Sequence, residues 1–89
     1  MKKNINLSET SVRLIRAVRA EAARAGVATP ELAKRIGRDR KFLYDHFAMK
    51  LPFNTNDLTD IAKALGITVE DIIKSASLEA QRQKQEKTA

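Results

Sequence analysis

The stretch TPELAKRIGRDRKFLYDHFA, residues 29–48, predicts two short helices joined by a tight turn. Thr29 is a good helix N-cap, Pro30 suits the first helical position, and Gly37 ends the first helix after two turns. Asp39 is a good cap for the second helix. Because a single residue separates Gly37 from this cap, the two helices must cross steeply.

The sequence on both sides of this pair predicts three further helices, and therefore an all-α fold, a compact five-helix bundle. The predicted caps are Ser8 for the first helix, Asn54 or Thr55 for the fourth and Thr68 for the fifth. Apolar residues recur at helical spacing in each segment. Those expected to face inward are Val12, Leu14, Ile15, Val18, Ala22, Ala25, Leu32, Ala33, Ile36, Leu43, Phe47, Phe53, Leu58, Ile61, Ala62, Leu65, Ile72, Ile73 and Ala76.

The chain divides into three parts by composition. Residues 1–7 form a short N-terminal arm, residues 8–77 hold the five helices, and residues 78–89 form a polar C-terminal tail. The tail has no large apolar side chain after Leu78, so it either extends the last helix or is frayed. With 89 residues in total, the sequence predicts one domain and one function.

The positive charge is concentrated in the first half of the chain. The net charge is +6, but residues 1–50 carry twelve Lys or Arg against five Asp or Glu, whereas residues 51–89 carry five against six. The basic half is expected to face a polyanion. A membrane surface would also attract it, but the aliphatic stripes pack against each other and leave no bulky apolar face beside the cations. Nucleic acid is the favoured partner.

Several other functional classes lack the residues that they need. The chain has no cysteine and one histidine, His46, which argues against a disulfide framework and against any metal site. No nucleophile and base stand in a recognisable arrangement, so we expect neither an enzyme nor a cofactor. No apolar run reaches membrane-spanning length, and MKKNINLSET lacks the apolar region of a signal peptide. We expect a soluble, cytoplasmic, nucleoid-associated protein.

A steeply crossed helix pair with a basic second helix is the geometry of helix-turn-helix DNA-binding domains. Residues 9–77 resemble the Cro and phage-repressor (XRE) type of this domain, with ELAKRIG, residues 31–37, as its second helix and LTDIAKALGITVEDII, residues 58–73, as its fourth and fifth. The resemblance implies a lambda-repressor-like fold. It also implies sequence-specific binding to double-stranded DNA by a small transcriptional regulator, a repressor of prophage or bacterial type, with helix 39–48 in the major groove.

The recognition helix also resembles a second family. LYDHFAMK, residues 43–50, is similar to the third helix of the tetracycline-repressor family, in which Tyr44, His46 and Lys50 would lie against the DNA backbone. Proteins of that family carry a large ligand-binding domain, for which 89 residues leave no room, so we expect no small-molecule ligand. The sequence departs from the XRE pattern at Thr29, where Gln is usual, and at Met49, where Gly commonly ends the recognition helix.

The resemblance to the XRE family assigns DNA contacts residue by residue. Base contacts fall on Arg40, Lys41, Tyr44 and Asp45. Arginine can bond both acceptors of a guanine, and aspartate can accept from a cytosine amine. The expected phosphate contacts are Thr29, Lys34, Arg38 and Lys50.

Simpler interpretations stand beside these assignments. Arg40 and Lys41 could form an ordinary solvated face, and Tyr44 could be half-buried in the core. Phe42 is either at the edge of the core or a partner contact, and His46 is more typical of a rim or core residue than of a DNA contact.

Two modes of assembly also follow from the sequence. The regulator is expected to bind a pseudo-palindrome as a homodimer, since one such domain contacts few base pairs. The dimer contact is expected at Ile73 and Leu78 or in the tail. The rival hypothesis is an antitoxin-like or adaptor module that docks on a protein through Phe42, Leu51 or Leu78, with weak or secondary DNA binding.

Overall fold

A computed structural model describes residues 7–88, with side chains described for residues 7–81. Five helices and no strand occupy this part of the chain, which confirms the all-α, five-helix prediction. In chain order they are α1 (Glu9–Arg24), α2 (Thr29–Arg35), α3 (Arg40–Phe47), α4 (Thr55–Leu65) and α5 (Val69–Thr88). The predicted arm, residues 1–7, lies outside the described residues except for Leu7.

Local capping bonds explain why α1 and α3 begin where they do. The Ser8 hydroxyl accepts a hydrogen bond from the Ser11 amide at 3.0 Å, and the Asp39 carboxylate accepts one from the Phe42 amide at 3.2 Å. Each bond satisfies an amide that has no partner within its helix. Both predicted caps are confirmed.

Reciprocal capping bonds start the last two helices. The Asn54 side chain accepts from the Asp57 amide at 2.7 Å, and the Asp57 carboxylate accepts from the Asn54 amide at 3.0 Å. Thr68 and Asp71 make the equivalent pair of bonds at 3.0 Å each. These capping boxes satisfy two amides at each helix start. Of the two predicted caps for α4, the structure has Asn54.

The prediction that Thr29 caps α2 is wrong. The cap is Ala28, which is extended (φ −71°, ψ 157°) and makes no side-chain capping bond. The first helical bond runs from the Leu32 amide to the Ala28 carbonyl at 2.9 Å. Thr29 is therefore already helical, because Pro30 tolerates a place in the first turn without a capping hydroxyl before it.

Every helix contributes a fully buried side chain to one core. The residues with no exposed surface are Ile15 and Val18 from α1, Leu32 from α2, Leu43 from α3, Ile61 from α4 and Ile72 from α5. The predicted residues Ile36, Phe47, Phe53 and Leu65 are partly buried against this core. The predicted inward stripes of α1 to α4 are therefore correct in outline, and the core sits where all five helices meet. The prediction that Ala25 faces inward is wrong, because this residue is the C-cap of α1 and is exposed.

The prediction that Ile73 faces the core is wrong. Ile72 is fully buried and Ala76 is 8% exposed, whereas Ile73 is 51% exposed. Adjacent helical residues point about 100° apart, and the spacing of four that aligns Ile72 with Ala76 turns Ile73 outward.

The helix also continues to Thr88, so the backbone of the polar tail extends α5, which is one of the two alternatives predicted.

Two left-handed residues flank α3. Gly37 (φ 74°) forms the turn before it, and Met49 (φ 65°) lies directly after it. The Lys50 amide donates to the Asp45 carbonyl at 3.1 Å, which closes the end of the helix. A side chain in this backbone region collides with its own carbonyl at a cost of roughly 1–2 kcal/mol. Met49 thus occupies a position that glycine would occupy without strain.

Replacing Met49 by glycine is expected to raise the free energy of unfolding by about 0.5–1 kcal/mol, because the strain is removed and part of the gain is offset by glycine's chain entropy. Urea unfolding followed by circular dichroism measures the change. Ala48→Gly is the matched control, because Ala48 has φ −83° and gains nothing from glycine. If Met49→Gly destabilises the protein as much as Ala48→Gly does, the left-handed strain is not what limits this turn.

Candidate nucleic-acid interface

The outward face of α3 carries three exposed side chains that were predicted to contact bases. Arg40, Lys41 and Tyr44 are exposed, and Tyr44 keeps 47% of its surface accessible. Spacings of three and four residues bring them to one side of the helix. Leu43 is turned into the core and has no exposed surface. The helix therefore presents a polar, cationic face on one side and packs on the other.

Asp45, the fourth predicted base contact, lies between two lysines. Its carboxylate is 2.8 Å from the Lys41 ammonium and 3.5 Å from that of Lys50. The hydrogen bond from Lys41 is the main reason that the pKa of Asp45 is lowered, and the same bond raises the pKa of Lys41. Both shifts favour the charged forms of Asp45 and Lys41 at neutral pH. Asp45 thus holds two cations beside the exposed face of α3, and one net positive charge remains.

The four predicted phosphate contacts are spread over three elements. Thr29 is half-buried at the start of α2, Lys34 is exposed near its end, and Lys50 is exposed just after α3. Lys50 is joined to α3 through Asp45. Arg38 is in the turn between α2 and α3, and its guanidinium contacts protein groups on two sides.

Arg38 bridges a carboxylate and an aromatic ring. One of its guanidinium nitrogens, Nη2, is 3.4 Å from Asp57 Oδ1, and the guanidinium carbon lies 4.1 Å from the centre of the Phe42 ring. The first contact is an ion pair and the second has cation–π geometry. Its side chain is 44% exposed, so only the inner edge is enclosed. Phe42, whose role the sequence left open, lies at the edge of the core beneath Arg38.

Within residues 7–81, the buried polar side chains are His46 and Asp57. His46 is 2% exposed, and its Nδ1 lies 2.6 Å from the Phe42 carbonyl oxygen. Because a carbonyl can only accept, Nδ1 carries the proton. Nε2 faces Asp57 Oδ2 at 4.0 Å, and the ring stacks on Phe53 with centroids 4.5 Å apart. His46 is thus a core residue held on all sides.

The placement of His46 corrects one expectation. The resemblance to the tetracycline-repressor family would put His46 against the DNA backbone, together with Tyr44 and Lys50. A ring that is 2% exposed and packed between Phe42 and Phe53 cannot reach a phosphate. The other two side chains are exposed, and the structure leaves their assignment open.

Asp57 is the residue near α3 that sequence reasoning missed. A carboxylate in the first turn of α4 would ordinarily be assigned to helix capping alone, and the Asn54-x-x-Asp57 spacing is the local signal for that role. Asp57 also lies close to Arg38 and His46, which are 19 and 11 residues earlier in the sequence. Helical periodicity does not predict contacts between residues so far apart. Asp57 is 5% exposed, and its carboxylate accepts from the Asn54 amide and from Arg38, with the His46 ring beside it.

A groove lies between α1 and α5, away from the α2–α3 pair. Its volume is about 480 Å³, and the exposed Ile73 stands at its side. Leu78 is 54% exposed but stands five residues beyond Ile73, roughly 140° around the helix axis, so the two side chains lie on different flanks of α5. The groove is lined by Thr10, Arg13, Leu14, Ile73, Ala76, Ser77 and Ala80.

The sequence predicts neither a metal centre nor a membrane span. Among the side chains that the structure describes, no three of the His, Asp and Glu residues come together as a group able to hold a metal ion. In the same part of the chain, no helix combines the length and the apolar character needed to cross a bilayer.

Comparison with known proteins gives a fold relationship. No protein-family model matches the chain, and no curated protein sequence matches it. Two crystal structures of the clp gene regulator ClgR from Corynebacterium glutamicum are similar. The first has a TM-score of 0.77 and 24% sequence identity, and the match covers 94% of this chain and 89% of that chain. The second has a TM-score of 0.70 and 24% sequence identity, and the match covers 84% of this chain and 95% of that chain.

A crystal structure of a hypothetical transcription factor, NHTF, from Neisseria is also similar. Its TM-score is 0.64, with 20% identity over 82% of this chain and 86% of that chain. The similarity runs through most of each chain. The five-helix fold described above is therefore one that this chain shares with proteins described as transcription regulators.

Proposed function

We propose that this protein binds double-stranded DNA as a transcriptional regulator and inserts α3 into the major groove. One observation carries the proposal: Arg40, Lys41 and Tyr44 are exposed together on a short helix that Leu43 anchors in the core. This is the arrangement by which a helix-turn-helix domain offers side chains to base edges. The fold similarity to transcription regulators supports it, and the net charge of +6 provides the long-range attraction.

The base contacts proposed for α3 follow from side-chain chemistry. Arg40 is the main specificity residue, because its planar fork can bond both acceptors of a guanine, which discriminates by about 1–3 kcal/mol. Lys41 makes a similar contact or holds a phosphate. Tyr44 donates to a phosphate or packs on a thymine methyl group. Asp45 accepts from a cytosine amine, and it must share its carboxylate with Lys41 and Lys50 to do so.

The phosphate contacts are proposed on either side of α3. Lys34 and Lys50 are exposed cations, and Thr29 can add a hydroxyl beside the amides at the start of α2. These contacts fix the position of the domain on the duplex and carry no base preference. Arg38, predicted in the same set, has its guanidinium between Asp57 and Phe42.

The protein is proposed to act as a homodimer on a pseudo-palindromic site, with half-sites about 34–36 Å apart. Such a protein, a repressor of prophage or bacterial type, would occupy a promoter on cytoplasmic, nucleoid DNA. The α1–α5 groove is the proposed contact with the second copy. The exposed Ile73 side chain and the groove lie on the same surface, so Ile73 of each copy could fill the groove of the other. A two-fold interface requires such a self-complementary surface. Since every lining residue belongs to α1 or α5, this contact leaves α3 free.

A protein-interaction module remains the second candidate function. The exposure of Leu51 (37%) and Leu78 (54%) favours it, because large apolar side chains in solvent are often partner contacts. Phe42, the third residue expected in that role, lies beneath Arg38. This alternative predicts weak DNA binding with little dependence on α3.

Fluorescence anisotropy with labelled duplex DNA across a salt series distinguishes the two candidates. Lys34→Ala is expected to weaken binding to all sequences and to lower the salt slope by about 0.9, as one phosphate contact is lost. Arg40→Ala is expected to relax base preference in duplexes selected from a random pool. Failure of the wild type to bind at low salt, or binding without a salt slope, would contradict the DNA-binding proposal.

Sedimentation analysis tests the proposed dimer contact. The wild type is expected at twice its chain mass of 10.0 kDa. Ile73→Glu should yield monomers, because it would place a charge in an apolar interface. Leu78→Glu is the matched control, since Leu78 is equally exposed but lies on the other flank of α5. Dissociation by Leu78→Glu alone would move the interface to that flank, and a monomeric wild type would exclude the homodimer.

A further inference from the structure

Asp57 contacts residues at both ends of α3. Arg38 precedes the helix, His46 belongs to its last turn, and both lie near the Asp57 carboxylate, at 3.4 Å and 4.0 Å. Asp57 itself is fixed at the start of α4 by its bonds with Asn54. An eight-residue helix spans about 12 Å, and the Asp57 carboxylate lies beside residues at both of its ends: it is bonded to Arg38, and it packs near the His46 ring at 4.0 Å, beyond hydrogen-bond distance. The orientation of α3 is thereby linked to α4.

The Asp57 carboxylate depends on these partners. A buried carboxylate is stable only where charges and hydrogen bonds replace its hydration. The Asn54 amide supplies one hydrogen bond, and Arg38 supplies a positive charge. If Arg38 swung out to a phosphate, the 5%-exposed carboxylate would lose that charge. The guanidinium is also held by its stacking on Phe42, which packs against His46 with ring centroids 4.3 Å apart.

We propose that Arg38, His46 and Asp57 form a positioning cluster that sets the orientation of α3, and that Arg38 supports DNA binding through this orientation, not as a phosphate contact. The proposal rests on the proposed function for its effect on DNA. The cluster itself is a property of the free protein. It assigns a binding role to two buried residues that never touch the nucleic acid.

The salt slope separates positioning from direct contact. Each phosphate contact contributes about 0.9 to the slope, whereas a misoriented helix lowers affinity without changing the number of ions released. We therefore compare two variants: Arg38→Met, which keeps an apolar stem over Phe42, and Lys34→Ala. Fluorescence anisotropy measures their binding to a random-sequence duplex and to the duplex that the wild type binds most tightly in selection. Arg38→Met is expected to reduce affinity for the selected duplex on the order of tenfold with an unchanged slope.

The effect of Asp57→Asn on DNA affinity distinguishes a simple net-charge effect from a positioning role, because the two predict changes in opposite directions. Replacing Asp57 by asparagine removes one negative charge from a basic protein. If net charge alone determines affinity, this change should tighten DNA binding. If Asp57 positions α3, the same change weakens binding to the selected duplex, although the protein becomes more positive. Asparagine keeps an oxygen that can accept from the Asn54 amide, so the capping box is preserved. The double variant with Arg38→Met should bind no more weakly than the worse single variant, because both remove one network.

Amide hydrogen exchange of the free protein tests the cluster without DNA. Asp57→Asn is expected to speed exchange in α3 more than in α1. The proposal is overturned if exchange rises equally in all helices, or if Arg38→Met lowers the salt slope as Lys34→Ala does and Asp57→Asn tightens binding. A wild type that fails to bind DNA contradicts the proposed function alone, since the exchange data still decide whether the cluster orients α3. If Arg38→Met does not fold, Asp57→Asn alone decides both readouts.

Discussion

The burial of Leu43 is the constraint on which the rest of the interface depends. An isolated helix of eight residues is not stable in water, because too few hydrogen bonds repay the cost of nucleation. α3 therefore depends on tertiary packing, and Leu43, which has no exposed surface, is its fully buried apolar side chain. Once that side chain points inward, helical geometry decides which side chains point outward. The exposed group at Arg40, Lys41 and Tyr44 is a consequence of one packing contact.

Features that depend on neighbouring residues could be predicted from the sequence. Ser8 and Asp39 cap their helices through amides three residues ahead, and such bonds follow from residue type and spacing. The core stripes follow from periodicity for the same reason. The prediction for Thr29 failed because α2 begins one residue earlier. With Pro30 in the first turn, Ala28 serves as the N-cap without any capping side chain. The prediction for Ile73 failed because Ile72 and Ala76 define the buried side of α5, and Ile73 lies about 100° away from Ile72 around the helix.

Features that depend on tertiary contact could not be predicted. The sequence gives no reason to pair Arg38 with Asp57, 19 residues away, or to place Phe53 against the His46 ring. Such contacts are set by where Phe53 and the first turn of α4 are placed beside α3. The resemblance to the tetracycline-repressor family was misleading at His46 because the ring packs between Phe42 and Phe53 in the core. Local sequence predicted where α3 is, and packing decided which of its residues are exposed.

The proposed DNA surface on α3 and the proposed dimer surface on α1 and α5 are joined through one hydrophobic core. α4 and α5 are separated by residues 66–68, and the capping bonds of Thr68 close that turn. In a homodimer joined through the α1–α5 groove, the distance between the two recognition helices is therefore fixed by folded structure. An extra base pair between half-sites shifts one of them by about 3.4 Å and rotates it around the duplex. A rigid dimer cannot follow that rotation, so such an operator tolerates changes in base identity better than changes in spacing.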